Sequence, residues 1–390
     1  MNILFYKENG IIPEKGGISR ITANLCKMFC SRGDQVWFVG VNEKAYSAVY
    51  DKRQFFLPDA DNVDSSDNLE YITEFVKNNN INVIVNQNNS LSPHVDLLYK
   101  CKQNTGVKVV YCFHNSILTP VYNYPYTRQF SLEAQGKSWL FSILNLKLVR
   151  DIGVWLCIAK YYKNYRNIIN KNDAIILLCE GQIPELERAS RMRIIRNVHV
   201  IYNSMSSHSP YMNNRKKHVL WVGNFDYHIK RPDYMLKIWQ IVEKQCPDWR
   251  LYMLGDGVSL TYCKRMASDM KLSNVIFTGR VNPMDYYRDA EILCTTSVHE
   301  CFPMVLLEGM NNALALLAFD SFTSAKLLIE DGKNGELVKA FNIEEYAKSL
   351  IEVITNDDKR HYLQRNSLLS ADRFCEDKVY SMWSKLLNEI

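Results

Sequence analysis

The feature that most constrains the fold is the alternation of short apolar runs with amphipathic stretches along the chain. In residues 18–31 the side chains of Ile21, Leu25 and Met28 share one helical face, and Gly33 follows as a stop signal. Strands that alternate with helices form parallel sheets with helices on both faces. The strands predicted for the first half of the chain are residues 2–6, 35–40, 82–86, 107–113, 174–179 and 199–202.

The alternation stops once, at residues 203–217, which are polar, contain a proline and have no periodicity. It then resumes with a helix that begins at Pro232 and ends before Pro247. A chain of 390 residues exceeds what one hydrophobic core usually serves. We therefore predict two doubly wound α/β domains, at 1–202 and 218–372, with a linker at 203–217 and a C-terminal amphipathic helix at 373–390. The strands predicted for the second domain are residues 218–223, 250–255, 274–279, 291–296, 315–320 and 335–338.

Charge and cysteine content narrow the classes of partner and compartment. The formal net charge of +5 is small for this length and does not argue for nucleic acid. It is compatible with anionic small molecules or with an anionic membrane surface. The eleven cysteines lie within apolar strands and helices without zinc spacing, so we expect reduced, buried thiols. The sequence has no signal-peptide pattern and no spanning apolar run, and we expect a cytoplasmic protein or one that touches a membrane only from its surface.

Two glutamates, Glu300 and Glu308, lie eight positions apart in the run HECFPMVLLEGM. Pro303 favours a helix that begins close to it, after the strand at 291–296. The backbone N–H groups at such a start have no acceptors within the helix, so they form an anion site at the C-terminal edge of a parallel sheet. One carboxylate would face a reacting sugar, while the other reaches a more distant pair of hydroxyls. A solvated surface pair is the alternative interpretation.

A second stretch adds cations to the same predicted edge. Lys230 and Arg231 precede the helix that begins at Pro232, where they would meet a diphosphate in the crevice. A solvated basic helix start is the alternative interpretation. The Gly-Asp-Gly sequence at 255–257 indicates only a tight turn by itself.

The order of these motifs resembles the C-terminal half of glycosyltransferase family 4. The resemblance covers residues 218–390 and is carried by GNFDYHIKRPD, LYMLGDG, the segment from VIFTG to HECFPMVLLEGM, and LIEDGKNGELV. The first half of the chain matches through PEKGGISRI, VVYCFHNS and IYNSM. The resemblance implies the GT-B fold, in which two Rossmann-like α/β domains face each other across a cleft and the C-terminal helix packs back on the first domain.

The resemblance also implies roles for residues of the second domain. Glu300 would lie beside the donor sugar, and Glu308 would accept hydrogen bonds from the ribose hydroxyls. Lys230 would neutralise the leaving diphosphate. Asn224 stands where the family often has an arginine, so Arg231 is expected to supply charge instead. The other implied contacts with the nucleotide and its phosphates are Gly223 in the glycine turn, Phe302, Pro303 and Met304 through the backbone amides of their segment, and Arg280 in the base pocket.

Three residues of the first domain complete the implied site. Gly16 and Gly17 resemble first-loop glycines that let the backbone approach the donor phosphate or the acceptor. His114 matches a histidine that contacts the donor sugar near its C6 hydroxyl in relatives. A structural histidine with satisfied hydrogen bonds is the alternative interpretation of His114.

The reaction implied by the resemblance is transfer of a sugar from a nucleoside diphosphate sugar to an acceptor hydroxyl, with retention of anomeric configuration. The nucleotide sugar is a co-substrate, and no cofactor or metal is expected. Front-face attack is the implied mechanism, and double displacement through Glu300 stays open. The expected donor is a UDP-sugar, and the expected acceptor is a glycan or lipid-linked glycan in bacterial surface polysaccharide or lipopolysaccharide biosynthesis.

Three other classes of protein remain as alternatives. A metal-dependent transferase needs a DxD motif after a strand, and Asp59 and Asp61 supply those letters in a polar loop without a good strand before it. A retaining glycosidase would hold its carboxylates about 5 Å apart across one bond, which two glutamates along one helix start do not favour. A non-catalytic nucleotide-sugar or carbohydrate-binding protein would have no need of Glu300, Glu308 and Lys230 together.

Residues 137–168 combine aromatic and basic side chains in a helical pattern. A basic amphipathic helix with aromatic residues can lie on an anionic membrane, which would bring a lipid-linked acceptor within reach at the inner face of the plasma membrane. A pair of domain-packing helices with a solvated basic edge is the alternative interpretation. The residues that form this pattern are Trp139, Phe141, Leu144, Trp155 and Tyr161 with Lys147, Arg150, Lys160, Lys163 and Arg166.

Overall fold

A computed structural model describes residues 1–11, 17–41, 53–88, 93–193, 195–205 and 215–390. The chain divides into two compact units. Unit 1 consists of Met1–Ile117, Leu156–Ser204 and Glu376–Ile390, and unit 2 consists of Leu118–Trp155 and Met205–Cys375. Gly16 and most of the predicted linker, residues 206–214, lie outside the described residues.

Each unit contains one fully parallel β-sheet in its described part. The strand order is β3-β2-β1-β4-β5-β6-β7 in unit 1 and β10-β9-β8-β11-β12-β13 in unit 2. The predicted α/β architecture of two doubly wound sheets is confirmed. The strands are β1 (Asn2–Tyr6), β2 (Gln35–Gly40), β3 (Gln54–Phe56), β4 (Val83–Asn86), β5 (Lys108–Cys112), β6 (Ala174–Leu177), β7 (Val198–Val200), β8 (His218–Val222), β9 (Arg250–Leu254), β10 (Val275–Gly279), β11 (Ile292–Thr295), β12 (Ala315–Asp320) and β13 (Gly335–Lys339).

Helices connect these strands, and within the described ranges none is both long enough and apolar enough to cross a bilayer. A short 3-10 helix, Asp372–Phe374, precedes the last of them. The helices are α1 (Gly17–Cys30), α2 (Ser66–Asn78), α3 (His94–Thr105), α4 (Thr119–Tyr122), α5 (Tyr124–Ala134), α6 (Ser138–Leu144), α7 (Lys147–Lys171), α8 (Gln182–Ser190), α9 (Pro232–Gln245), α10 (Leu260–Asp269), α11 (Met284–Tyr287), α12 (Met304–Asn311), α13 (Ala325–Leu328), α14 (Ile343–Thr355), α15 (Asp357–Ala371) and α16 (Glu376–Glu389).

The C-terminal helix α16 belongs to unit 1, although it follows unit 2 in the chain. Its buried Trp383 lies edge-on to Phe29 of α1, with ring centroids 6.0 Å apart. Tyr380 also contacts Phe29, and Arg32 of α1 pairs with Asp377 of α16. The apolar face foreseen at the end of the chain is therefore covered by α1, so the predicted packing of this helix on the first domain is confirmed.

Residues 118–155 group with unit 2. The sequence places them in the predicted first domain, 1–202, so the structure differs from the prediction here. The ring of Tyr126 stacks on that of Phe341 with centroids 3.7 Å apart, and Phe130 stacks on Tyr227 at the same distance. The segment contains no described strand that could join the unit 1 sheet. Its aromatic side chains find their partners on unit 2 instead.

We expect Trp383→Ala to lower the free energy of unfolding of unit 1 by about 3–5 kcal/mol, because it leaves a cavity between α16 and α1. Urea denaturation followed by circular dichroism measures the change. Asn388→Ala, at an exposed position on the same helix, is the matched control and should leave the transition unchanged. Equal transitions for the two variants would contradict the packing role of Trp383.

Candidate functional site

Strand order in the unit 2 sheet reverses between β8 and β11, and the carboxyl ends of such neighbouring strands border a crevice. The segments that follow the two strands are tied together. The backbone N–H of Val298 donates to Ile229 O at 2.7 Å. The single hydroxyl hydrogen of Thr296 is shared between the carbonyl oxygens of Lys230 and Arg231, both of which lie 2.9 Å from Oγ1. The crevice therefore brings the segment around Lys230 next to the segment that leads to Glu300.

Lys230 and Glu300 are in direct contact, and this contact joins two of the residues predicted from sequence. The ammonium of Lys230 donates to Glu300 Oε1, and the Ser297 hydroxyl donates to the same oxygen at 2.8 Å. The two charged side chains are only 24% and 15% exposed. A lysine ammonium carries three N–H donors, so the bond to Glu300 uses only one of them. Ser297 was not predicted, because an isolated serine in a loop gives no distinctive signal.

The turn at 255–257 needs glycine at two positions, because the segment after β8 lies too close to its backbone for a Cβ atom. Gly255 has a φ of +134°, and a Cβ there would lie 1.9 Å from Gly223 O. Gly257 has a φ of +151°, and a Cβ there would lie 2.2 Å from Asn224 Oδ1. The turn after β9 thus packs directly on the predicted residues Gly223 and Asn224. Lys230 lies beside them, because its Cδ is 3.6 Å from the position of a Cβ at Gly223.

Helix α12 begins at Met304, immediately after Pro303, as the sequence indicated. Pro303 has an extended backbone, with φ −69° and ψ 110°, and its side chain provides no cap. Phe302 is buried against Phe374, with ring centroids 5.6 Å apart. The side chains of this segment are thus committed to packing. The donors that suit the predicted phosphate contact are the backbone N–H groups of Phe302 and Met304, because Pro303 carries no N–H.

Glu308 is buried within α12 and is 5% exposed, so the interpretation of the two glutamates as a solvated surface pair is wrong. Its carboxylate accepts a hydrogen bond of 2.7 Å from the hydroxyl of Tyr287, which is itself buried. A buried carboxylate needs such a donor, because unpaired burial of a charge is costly. The sequence did not reveal Tyr287, since only the packing of α11 near α12 brings the two residues together.

Arg231 does not face the crevice, and its predicted contact with phosphate is wrong. Its side chain is fully buried, and its guanidinium bonds both carboxylate oxygens of Asp233 at 2.8 and 2.7 Å. The guanidinium also donates to Tyr126 O at 2.9 Å and lies 3.5 Å from the ring centroid of Tyr234. A left-handed backbone, with φ 49°, turns this side chain inward. The cation therefore anchors residues 118–155 to the rest of unit 2.

Arg280 follows β10 and is exposed. The preceding Gly279 accepts a hydrogen bond of 3.0 Å from the backbone N–H of Gly255. Arg280 therefore emerges beside the turn that packs on Gly223. A role in a base pocket stays a prediction.

The predicted residues of the first domain lie in unit 1. Gly17 is the first residue of α1, and a Cβ there would meet no protein atom within 4 Å, so packing within the protein does not require this glycine. His114 follows β5, and its Nε2 bonds Gln87 Oε1. Burial, reinforced by the charge of Lys7, lowers the pKa of His114 to about 4, so the imidazole is neutral at neutral pH.

Three consecutive buried amide side chains, one of which bonds His114, lie at the carboxyl end of β4 in the unit 1 sheet. Asn86 ends β4, and Gln87 and Asn88 follow it; all three are almost fully buried. The amide nitrogens of Asn86 and Asn88 and the Nδ1 of His114 have no hydrogen-bond partner among the described residues. Buried polar groups are normally paired, so this cluster has the chemistry to bind a polar ligand such as a sugar hydroxyl.

Asn123 connects residues 118–155 to the segment that carries Glu300. Its amide nitrogen donates to Val298 O at 2.8 Å and to Ser321 O at 2.9 Å. Arg150 of α7 donates to the Asn123 side-chain oxygen at 3.2 Å. These bonds fix the segment just before Glu300. Sequence reasoning missed them, because it assigned Asn123 and Val298 to different domains.

The DxD letters at Asp59 and Asp61 have a structural role. Asp59 Oδ1 accepts hydrogen bonds from the backbone N–H groups of Asp61 and Asn62 at 3.1 and 2.9 Å, which closes the turn before α2. Within the described ranges, no group of three or more histidine, cysteine, aspartate or glutamate side chains is placed to hold a metal ion.

Comparisons with known proteins bear on the same region. Residues 207–368 match the family model of glycosyl transferases group 1. The chain is 28% identical over 250 residues to an uncharacterized glycosyltransferase of Haemophilus influenzae. The aligned region covers 63% of this chain and 67% of that relative. These two matches support the assignment of this chain to a glycosyltransferase family. The match to the family model contains Lys230, Glu300 and Glu308.

Two further comparisons are with a second sequence relative and with a solved structure of similar fold. The amylovoran biosynthesis glycosyltransferase AmsD of Erwinia amylovora is 28% identical over 204 residues, which is 50% of this chain and 57% of that relative. This chain thus spans little more than half the length of AmsD. The structure of HepE from Anabaena in complex with UDP has a TM-score of 0.74 and 16% identity, and covers 100% of both chains. This likeness shows the fold, which is GT-B as predicted.

We expect Asn123→Ala to destabilise unit 2 by about 1–3 kcal/mol, because it removes the donor from two buried carbonyl groups. Thermal unfolding measures the loss. Asn366→Ala is the matched control, because that amide bonds Tyr362 O on the exposed surface of the same unit. A loss no larger than that of the control would contradict the role of Asn123.

We expect the pKa of His114 to make unit 1 less stable as the pH falls from 6.5 to about 4. In that window His114 binds a proton in the unfolded chain but not in the folded chain. Above the window the imidazole is neutral in both states. An NMR titration, with His114→Gln to assign the resonance, should find the imidazole neutral down to about pH 4. The variant should also reduce the slope of stability against pH in that window. Titration near the ordinary value would contradict the burial effect.

Proposed function

We propose that this chain is a retaining, metal-independent glycosyltransferase that moves a sugar from a UDP-sugar to a hydroxyl of a glycan or lipid-linked glycan. The contact between Lys230 and Glu300 at the carboxyl ends of β8 and β11 carries this proposal. A cation and a carboxylate held side by side suit a reaction in which a diphosphate leaves and positive charge grows on a sugar.

Departure of the diphosphate is the step that Lys230 would assist. Negative charge grows on the leaving oxygen as its bond to the anomeric carbon breaks. The ammonium of Lys230 and the backbone amides at the start of α12 would stabilise this charge, because the N-terminal end of a helix carries positive partial charge. No metal ion is needed for that stabilisation.

Glu300 would orient the donor sugar and temper the positive charge on its ring. Bonds from Lys230 and Ser297 hold its carboxylate in one orientation, which suits an orienting role. The acceptor hydroxyl would attack the same face from which the diphosphate departs. A bond forms between the acceptor oxygen and the anomeric carbon, and the departing phosphate oxygen takes the hydroxyl proton. Double displacement through Glu300 is the competing mechanism.

Glu308 would bind the ribose hydroxyls of the nucleotide, and Arg280 would lie near the base. Burial of Glu308 beside Tyr287 favours recognition of a ligand over a solvated role. UDP is the proposed nucleotide because it is bound in the structure of HepE, whose fold this chain shares. In unit 1, His114 and its neighbouring buried amides are proposed to contact the sugar, and the glycines at 16 and 17 to allow close approach of the backbone.

Bacterial surface polysaccharide biosynthesis is the proposed setting. AmsD, one of the relatives, is named for amylovoran biosynthesis. A cytoplasmic location belongs to the same proposal. Eight of the eleven cysteines are buried as free thiols, which suits a reducing compartment.

The test of this function is a thermal-shift panel of nucleotides and nucleotide sugars, combined with a turnover assay. We expect UDP and one UDP-sugar to raise the melting temperature, because a ligand that binds only the folded state stabilises it. Glu308→Ala should weaken nucleotide binding about tenfold or more, since it removes a buried charged hydrogen-bond acceptor. Glu300→Ala should retain the response to UDP and lose turnover by about a hundredfold or more.

Glu344→Ala is the control for these variants, because Glu344 is exposed in the first turn of α14. It should change neither binding nor turnover. Hydrolysis of a plain glycoside without any nucleotide would favour a glycosidase instead. Nucleotide binding without turnover on any glycan acceptor would favour a binding protein.

A further inference from the structure

Unit 2 exposes an apolar surface on two consecutive helices, which we call the α6–α7 face. Six large apolar side chains within residues 139–155 are exposed, although this segment is not part of the candidate site. Isolated exposed apolar residues are ordinary, whereas a cluster of them marks a site of interaction. The face consists of Trp139 (63% exposed), Ile143 (46%), Leu146 (56%), Leu148 (71%), Ile152 (48%) and Trp155 (60%).

The exposed residues of α7 form a stripe on one side of the helix. Leu148, Ile152 and Trp155 follow each other at helical spacing. Val154 and Ile158 lie on another side of the helix and are buried. Helix α7 therefore has a second apolar side, and its packing within the protein does not require the outward one.

The segment that carries this apolar stripe is rich in positive charge. Residues 137–171 contain seven lysines and arginines, while Asp151 is their only acidic residue. Lys147 pairs with Asp151, so one cation is partly compensated. The exposed cations of the segment are Lys137, Lys147, Lys160, Lys163 and Arg166.

We propose that the α6–α7 face docks on an anionic lipid bilayer surface. Exposed tryptophans with aliphatic neighbours suit the boundary between headgroups and acyl chains, and flanking cations attract anionic headgroups. A second copy of the chain is the less favoured occupant. A two-fold interface would set this basic surface against an identical basic surface, and like charges repel.

The docking surface is linked to the candidate site within unit 2. Arg150 lies on α7 between Leu148 and Ile152, and it bonds Asn123. Asn123 in turn bonds Val298 O, two residues before Glu300. A bilayer that holds α7 would thereby hold the Glu300 segment close to the membrane surface. The benefit of this arrangement, access to a lipid-linked acceptor, rests on the proposed function, whereas the docking itself does not.

Flotation of the full chain with lipid vesicles tests the apolar part of the face. We expect binding to phosphatidylcholine vesicles that contain phosphatidylglycerol, and weaker binding to phosphatidylcholine alone. Leu148→Ser and Trp155→Ser should each reduce binding about tenfold, because each removes an inserted apolar side chain. Leu369→Ser is the matched control, because Leu369 is 72% exposed on α15 of the same unit, and it should bind as the unmodified chain does.

Charge reversal tests the electrostatic part. Lys160→Glu combined with Lys163→Glu should reduce binding to the anionic vesicles, and added salt should weaken binding of the unmodified chain. Lys264→Glu combined with Lys271→Glu is the control, because both lysines are exposed on or next to α10, away from the face in sequence. Unfolding temperatures and the UDP response of every variant show whether the chain is still folded.

Three outcomes would overturn the docking. The unmodified chain would fail to float with anionic vesicles, or Leu148→Ser and Trp155→Ser would bind like the control, or sedimentation would reveal a self-associated chain that Leu148→Ser dissociates. Failure of the proposed function is a separate result, since it is read from the UDP response and turnover without vesicles. Vesicle binding without a UDP response would leave the docking standing and remove the glycosyltransferase proposal.

Discussion

Strands β8 and β11 are neighbours in the unit 2 sheet, but the helices that follow them pack in different places. Helix α9 contacts α10 and α14, whereas α12 contacts α15. The chain must therefore leave two adjacent parallel strands in different directions, and the crevice between the departing segments lies at their carboxyl ends. Lys230 and Glu300 meet there, so their contact follows from the strand order.

Buried polar contacts hold the two segments once the sheet has brought them together. The Thr296 hydroxyl is bonded to the carbonyl groups of Lys230 and Arg231, and it also accepts from the indole N–H of Trp221 at 2.9 Å. The buried pair of Arg231 and Asp233 is fully hydrogen-bonded, which offsets the desolvation of its charges. Such pairing specifies geometry, because a side chain that moved away would leave a buried group unpaired. The site thus depends on residues that do not reach the crevice.

Local patterns predicted the fold well. The strands at 35–40 and 315–320 and the helix start at Pro232 have the predicted bounds, because apolar periodicity and proline act over a few neighbouring residues. The edge strand β3 has only three residues, too few for a periodic pattern, and it was missed. In the site, the pairing of Lys230 with Glu300 fits the predicted crevice. The partners Ser297 and Tyr287 were beyond prediction, since neither belongs to a recognisable motif.

By itself, the sequence determined the alternation of strands and helices, the two sheets that follow from it, and the positions in the chain of Glu300, Glu308 and Lys230. The tertiary structure alone decided that residues 118–155 join unit 2 and that Arg231 turns inward. It also decided that an apolar side of α7 stays exposed. The reason is that these outcomes depend on contacts between residues about a hundred or more positions apart, such as Arg231 with Tyr126 and Asn123 with Val298. Local periodicity cannot encode such contacts, because they exist only after the helices have packed.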